Sequence, residues 1–303
     1  MSKKNLLWTA FGVLVLAMAV VQFIPAPALL VPAALPAEQR EAHRLLNFEG
    51  IANFRDLGGY ATTDGKQVRW GKLYRSGTFA QASRADLQNL PKLGLQTFID
   101  FRSSAEQEEE ANRLPEPPGF QVVNIPILDD GNKALVGEVM QRIESGDFDD
   151  FDPSQAMLQA NRQFASDFTP QISEFVHTVL AADGNPVVWH CSAGKDRTGF
   201  AAAVMLRILG VPQQTVMQDY MASLEPSLAS SRQNQIRMLR LLKGEPVAEK
   251  LQVMMGVEEA WLEAAFEQVD ATWGSFDNYL HEGLQLSDKD IARLRDTLLQ
   301  AGG

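Results

Sequence analysis

Three short runs combine apolar, aromatic and β-branched residues between positions 97 and 190. They are Thr97-Phe98-Ile99-Asp100-Phe101, Val122-Val123-Asn124-Ile125 and Pro186-Val187-Val188-Trp189-His190. Their length and composition predict buried strands, and the turn residues Asp183-Gly184-Asn185 mark the start of the third. Thr198 to Leu209 is apolar and too long for a typical strand. It stops at Gly210 and Pro212, as a helix does. From Val216 onward the pattern is helical, punctuated at Pro226, Gly244-Glu245-Pro246 and Trp273-Gly274-Ser275. Ser287-Asp288-Lys289-Asp290 has the form of a capping box before Ile291, Leu294 and Leu298. Strands mixed with helices predict an α/β layer fold.

The N-terminal segment reads differently. Lys3 and Lys4 precede an uncharged run from Asn5 to Ile24, and Pro25, Pro27, Pro32 and Pro36 follow. A basic start before an apolar core is a membrane-targeting pattern. The run exceeds an ordinary cleaved core and approaches the ~20 residues needed to span a bilayer. Residues 1–28 are therefore expected to be a signal peptide or signal anchor, with Ala26-Pro27-Ala28 as an imperfect cleavage site. Residues 5–24 would be a membrane tether, and the basic end on the cytoplasmic side would place the remainder outside. The expected order is targeting segment 1–28, extended Pro/Ala-rich linker 29–44 and catalytic domain 45–303.

Composition narrows the classes. The 303 residues are 45% hydrophobic and 21% charged, which excludes a disordered, collagen-like or multi-span chain. The net charge is −11, or −13 without the two lysines of residues 1–28, and nucleic-acid binding is disfavoured. A single cysteine, Cys191, excludes an internal disulfide and a Cys-rich zinc site. His43, His177, His190 and His281 show no metal-ligand spacing, and no metal or cofactor is expected. The acidic run Glu144, Asp147, Asp149, Asp150 and Asp152 lacks EF-hand spacing and reads as a solvated loop.

The chemistry gathers where the third strand meets the apolar helix: His190-Cys191-Ser192-Ala193-Gly194-Lys195-Asp196-Arg197-Thr198-Gly199. Five residues between Cys191 and Arg197 form a loop short enough to wrap an anion with inward N–H groups, and the helix N-terminus adds its dipole. Such a field favours a cysteine thiolate at the loop's start. The Arg197 fork suits two phosphate oxygens, Gly194 and Gly199 permit the tight turn, and the Thr198 hydroxyl is placed to reach the sulfur.

His-Cys-x5-Arg-Thr resembles the signature of the Cys-dependent tyrosine phosphatase superfamily, and this form of it resembles the bacterial and fungal lipid-like branch. Asn53-Phe54-Arg55-Asp56-Leu57-Gly58-Gly59-Tyr60, Leu73-Tyr74-Arg75-Ser76-Gly77, Ile99-Asp100-Phe101-Arg102-Ser103 with Glu106, and Gly274-Ser275-Phe276-Asp277-Asn278-Tyr279-Leu280 carry the likeness from about residue 47 to 300. The resemblance implies a largely parallel central sheet flanked by helices, with a helical lid over the site. It also implies hydrolysis of phosphotyrosine, and of phosphoserine, phosphothreonine or phosphoinositides, through a cysteinyl-phosphate. A phosphorylated protein or phosphoinositide is then the partner. None of the five tryptophans precedes Pro-Asp, so the general acid of the eukaryotic enzymes is missing from its usual place. Asp196 is the candidate consistent with the branch, and Asp129 or Asp130 the alternative. Lys195 would hold a further phosphate or stand solvated. Asp56 and Arg55 would either buttress the phosphate loop or serve ordinary turn chemistry, and Asp100 with Arg102 would form a structural pair. A rhodanese-like sulfurtransferase and a non-catalytic phosphate-binding module are the competing classes. The Arg-Thr-Gly ending argues against the first, and the presence of both Cys191 and Arg197 against the second.

Overall fold

The computed structural model describes residues 29–127, 141–142, 145–148, 150–224 and 230–302. The targeting segment 1–28, and Asp129 and Asp130, lie outside the described residues. Five strands make the central sheet: β1 (Arg55–Asp56), β3 (Leu73–Ser76), β4 (Thr97–Asp100), β5 (Gln121–Asn124) and β6 (Val187–His190). Their spatial order is β1-β3-β6-β4-β5, with only β1 antiparallel. β2 (Lys66–Val68) and β7 (Leu299–Ala301) form a separate antiparallel pair.

All three predicted strands are present, and β6 occupies the centre. Alternate side chains on it serve opposite layers. Val187 and Trp189 join one apolar cluster, and Val188 joins the other with Tyr74 and Phe98. Covered on both faces, β6 is apolar at three of its four positions. β5 corrects its expectation of burial: it is the edge strand, and Val122 is 43% exposed. A run of valines fits either place, and only the strand order separates them.

Helices cover the sheet. The helices used below are α1 (Arg84–Asn89), α2 (Ser104–Glu109), α3 (Pro153–Ala165), α4 (Thr169–Ala181), α5 (Asp196–Ile208), α6 (Gln213–Met221), α7 (Ser230–Lys243), α8 (Glu245–Met255), α9 (Glu259–Trp273) and α10 (Asp288–Leu298). α5 starts two residues before the predicted apolar run and is buried nearly all round, as a helix enclosed by sheet and neighbours must be. Ser287 and Asp290 cap α10 reciprocally, as their spacing predicted. Among the described residues, no helix is long and apolar enough to cross a membrane.

The expected linker 29–44 is not extended. Pro32–Ala34 and Glu41–His43 are 3₁₀ turns, Ala37–Arg40 is a helical turn, and Leu29 is buried in the second apolar cluster. Arg44 fastens this segment: its guanidinium lies 3.9 Å from the Tyr60 ring centre and donates to the Asp56 and Gly58 carbonyls at 2.8 and 2.7 Å. Prolines predicted an extended spacer. Apolar Leu29 and Pro32, with the Arg44 stem and head, make burial the better state.

The register aligns Ser76, His190, Asp100 and Asn124 at the carboxyl ends of neighbouring strands. Loops leaving these four positions gather at one edge of the sheet, where open α/β sheets place ligands.

Candidate active site

Cys191 follows β6 directly and is buried. The Gly194 N–H donates to its Sγ at 3.3 Å, so the loop curls back over the sulfur. This needs a left-handed residue at 194 (φ 71°). A Cβ there would lie 2.4 Å from the Ser76 carbonyl carbon, so only glycine fits. Beneath the loop, His190 is fully buried between the Phe79 and Phe98 rings, with Nδ1 3.1 Å from the Cys191 carbonyl and Nε2 3.4 Å from Asp100 Oδ2. Asp100 also accepts from Arg102 and Asn112, a structural cluster as predicted. Burial raises its carboxyl, but His190 and Arg102 outweigh that and hold it well below the usual carboxylate range.

Arg197 enters the site from the first turn of α5. Its Nη1 and Nη2 each donate to Glu106 at 2.7 Å, and Nη1 reaches the Phe101 and Ile127 carbonyls at 3.3 and 3.2 Å. None of these bonds uses Nε. Glu106 also accepts from Ser192 Oγ at 2.5 Å. Burial opposes ionisation of Glu106, but its bonds to Arg197 and the adjacent positive charge bring it down to about 2. Glu106 is the site residue that the sequence reading left aside. Its signal was present: Ser103 and Glu106 form a reciprocal capping box immediately after β4, which aims this carboxylate at the loop.

A second support was also missed. The Gly194 carbonyl accepts from Arg75 Nη2 at 2.9 Å and from Asn53 Nδ2 at 2.8 Å. In a trans peptide the N–H lies opposite the carbonyl, so holding that oxygen outward turns the Lys195 N–H inward. Similarly, the Thr78 N–H donates to the Ser192 carbonyl at 3.1 Å. Arg75 pairs with fully buried Asp219 at 2.6 Å, and Arg55 sits 3.6 Å from the same carboxylate while donating to Asn53. Arg55 thus serves the loop at one remove. Burial, and then the neighbouring Arg75 charge, lower its guanidinium to about 10.

Three expectations change. Asp56 does not touch the loop: its carboxylate accepts from the Gly58 and Gly71 N–H groups, both at 2.8 Å, and closes the turn after β1. Burial pushes it up to about 6 against those hydrogen bonds. Lys195 is buried rather than solvated. Its ammonium lies 2.9 Å from Asp196 Oδ2, donates to the Met254 carbonyl of α8 at 2.9 Å, and stands 5.0 Å from the centre of the Trp261 ring. α8 is thereby latched to the loop's flank, in the place of the implied lid. Thr198 Oγ1 is buried without a hydrogen-bond partner, and its carbonyl accepts from Trp189 Nε1. The bond reaching the sulfur is therefore from Gly194. Ser192, Ala193 and Asp196 fall within the loop and its helix start, as expected.

The sequence profile of the tyrosine phosphatase family matches residues 46–300. The chain belongs to that family. This phosphatase is Cys-dependent, and Cys191 is its one cysteine. A protein of Cupriavidus necator named as a tyrosine-protein phosphatase is 36% identical over 269 residues, 88% of this chain and 92% of that one. The triple specificity protein phosphatase PtpB of Mycobacterium tuberculosis is 30% identical over 274 residues, 82% of this chain and 97% of PtpB. The crystal structure of P. aeruginosa TpbA aligns over 60% of this chain and 91% of its own at 19% identity, with a TM-score of 0.29. Among the described residues of the phosphatase, no group of three or more His, Cys, Asp or Glu could hold a metal ion.

Proposed function

We propose that this phosphatase hydrolyses phosphotyrosine, phosphoserine or phosphothreonine, and phosphoinositide monoesters, as a lipid-like member of its family. The carrying observation is the pairing of a curled Cys191–Arg197 loop with an arginine held in a fixed plane by Glu106. In this reading Cys191 Sγ attacks phosphorus in line, an S–P bond forms, and the ester P–O bond breaks with its electron pair leaving on oxygen. Asp196 gives that oxygen a proton. Water then gives a proton to the Asp196 carboxylate and attacks phosphorus, the S–P bond breaks with its electron pair returning to Cys191 as thiolate, and inorganic phosphate leaves, so one hard displacement becomes two easier ones. Loop N–H groups and the Nε–H of Arg197, the donor that its Glu106 and Ser192 contacts leave free, stabilise the charge spread over the equatorial oxygens. Two supports favour the broad substrate range: the His190-Cys191-Ser192-Ala193-Gly194-Lys195-Asp196-Arg197 pattern, and similarity to a phosphatase named for triple specificity.

A panel of phosphotyrosine peptide, phosphoserine peptide and phosphoinositide tests the range, with Cys191→Ser as the control. The serine variant should lose turnover on every active substrate yet still bind a phosphate mimic such as tungstate, because a hydroxyl is a far weaker nucleophile. Substantial turnover by the variant refutes the covalent step. We further propose export, supported by Lys3, Lys4 and the uncharged run 5–24. A fusion of residues 1–28 to a reporter active only outside the cytoplasm should give signal, and a silent fusion refutes it.

A further inference from the structure

Arg44 sits in a socket built by the turn after β1. Trp70 presses on Gly58 and Gly59, where a Cβ would come within 2.3 Å of Trp70 Cα at position 58 and of its ring carbon Cζ2 at position 59. The Arg44 guanidinium carbon stands 4.8 Å from a Trp70 ring centre and 3.9 Å from that of Tyr60. Its Nε and Nη2 donate to Glu41 at 2.9 and 2.6 Å, and Nη1 serves the Asp56 and Gly58 carbonyls. With each nitrogen engaged and 7% of the residue exposed, Arg44 has one position. A cation fixed over a ring holds that ring in turn.

The held ring points its hydroxyl at the charge beneath the phosphate loop. Tyr60 Oη donates to Asp219 Oδ1 at 3.0 Å, while Arg55 Nη2 stands 3.6 Å from the same oxygen, beyond hydrogen-bond range. Burial, and then the Asp219 charge, push the Tyr60 phenol far above its ordinary value, so it stays a donor. The other oxygen, Oδ2, accepts from Arg75 Nη1 at 2.6 Å, and Arg75 Nη2 holds the Gly194 carbonyl at 2.9 Å. The two oxygens of a carboxylate turn together, so whatever fixes Oδ1 also fixes Oδ2. Without the Tyr60 hydroxyl, Oδ1 is free to swing toward Arg55, and that rotation draws Oδ2 off Arg75.

We infer that Tyr60 and Arg44 are positioning residues of the phosphate loop. Arg44 pins the Tyr60 ring, Tyr60 sets the plane of the Asp219 carboxylate, and Arg75 passes that setting to the Gly194 carbonyl, which turns the Lys195 N–H inward. The segment 29–44, which carries Arg44, is then part of the catalytic unit and not a spacer before it. The inference rests on the reading of the loop N–H groups as donors to the equatorial oxygens. The competing role is a staple that only holds the segment down, and a staple changes stability without changing turnover by the folded enzyme.

A double-mutant cycle in the full chain tests this, with Tyr60→Phe, Arg44→Met and the two combined. Turnover of a phosphotyrosine peptide is measured per folded molecule, and urea unfolding gives the folded fraction. Tyr60→Phe removes one hydroxyl and keeps the ring. If Arg44→Met fails to fold, Arg44→Lys replaces it, keeping a cation without the fork that serves two carbonyls. The expected result is a kcat lowered on the order of fivefold in Tyr60→Phe with KM little changed, because the Lys195 N–H contact tightens as charge develops. Arg44→Met should lose no more than Tyr60→Phe, and the double variant should match Tyr60→Phe alone, since an absent hydroxyl has no position to lose. An unchanged kcat in Tyr60→Phe, or a loss confined to KM, overturns the inference. So do losses that multiply in the double variant, which would make the two residues act independently. Failure of the covalent reading shows separately, as turnover that survives Cys191→Ser.

Discussion

Asp219→Asn should expose how much the phosphate loop depends on charges buried beneath it. Asp219 is 1% exposed, lies 2.6 Å from Arg75 and 3.6 Å from Arg55, and accepts from Tyr60 Oη at 3.0 Å. Burial opposes its ionisation, but the two guanidiniums prevail and hold it below the usual carboxylate range. At an effective dielectric of roughly 20, a pair at the Arg75 distance attracts by about 6 kcal/mol before desolvation is subtracted. Removing one partner of a buried pair typically costs about 3–5 kcal/mol, because the surviving charge stays buried. Here two arginines would survive, so the upper part of that range is expected. Urea unfolding should show it as a lower midpoint with an unchanged slope. Catalysis gives a second readout, since Arg75 also holds the Gly194 carbonyl outward. A fall in kcat on the order of tenfold is expected, less than the ~10²–10³ of deleting an oxyanion donor outright. A stability loss below about 1 kcal/mol would refute the buried-charge argument. An unchanged kcat alongside the full stability loss would show that the loop keeps its shape without this support.

Asp56 should make stability pH-dependent. Its carboxyl stands at about 6 when folded against 3.8 ordinarily, so the folded state holds the proton more tightly and loses stability as pH rises from 3.8 to 6. That gap is worth about 3 kcal/mol over the whole titration, so the stability of wild type minus Asp56→Asn should fall by about 2 kcal/mol between pH 4 and 7, and a flat difference would refute it. Arg197→Lys should lower kcat severely, because a point charge cannot keep both the Glu106 clamp and a planar hold on phosphate; a rise in KM alone would make Arg197 a ground-state binder. Asp196→Asn should slow alkyl phosphates by ~10²–10⁴ and aryl phosphates with acidic phenols far less. Equal slowing across leaving groups would make Asp196 a loop organiser and direct the same comparison to Asp129 and Asp130.

Local pattern alone determined much of this protein. The three strand runs, the α5 helix, the α10 capping box and the Cys191–Arg197 loop are all contiguous in sequence, and short-range sterics and burial specify them. The loop's chemistry was legible for the same reason: one strand end, one glycine-bearing turn and one helix start place thiol, N–H groups and guanidinium together. What surrounds the loop was legible only as far as the Ser103–Glu106 capping box, and not in what that carboxylate would meet. Glu106, Asn53, Arg75 and Asp219 come from four separate segments, and strand order and helix packing carry them to the loop. Likewise, nothing near Lys195 in sequence foretells Met254 and Trp261, which turn a solvated cation into a buried latch. The same holds for Val122, exposed because β5 is last in the sheet, and for residues 29–44, held down by an arginine that finds Tyr60 and Asp56 only in the folded state. A side chain's partners depend on distances through space, and those exist only once the layers have packed.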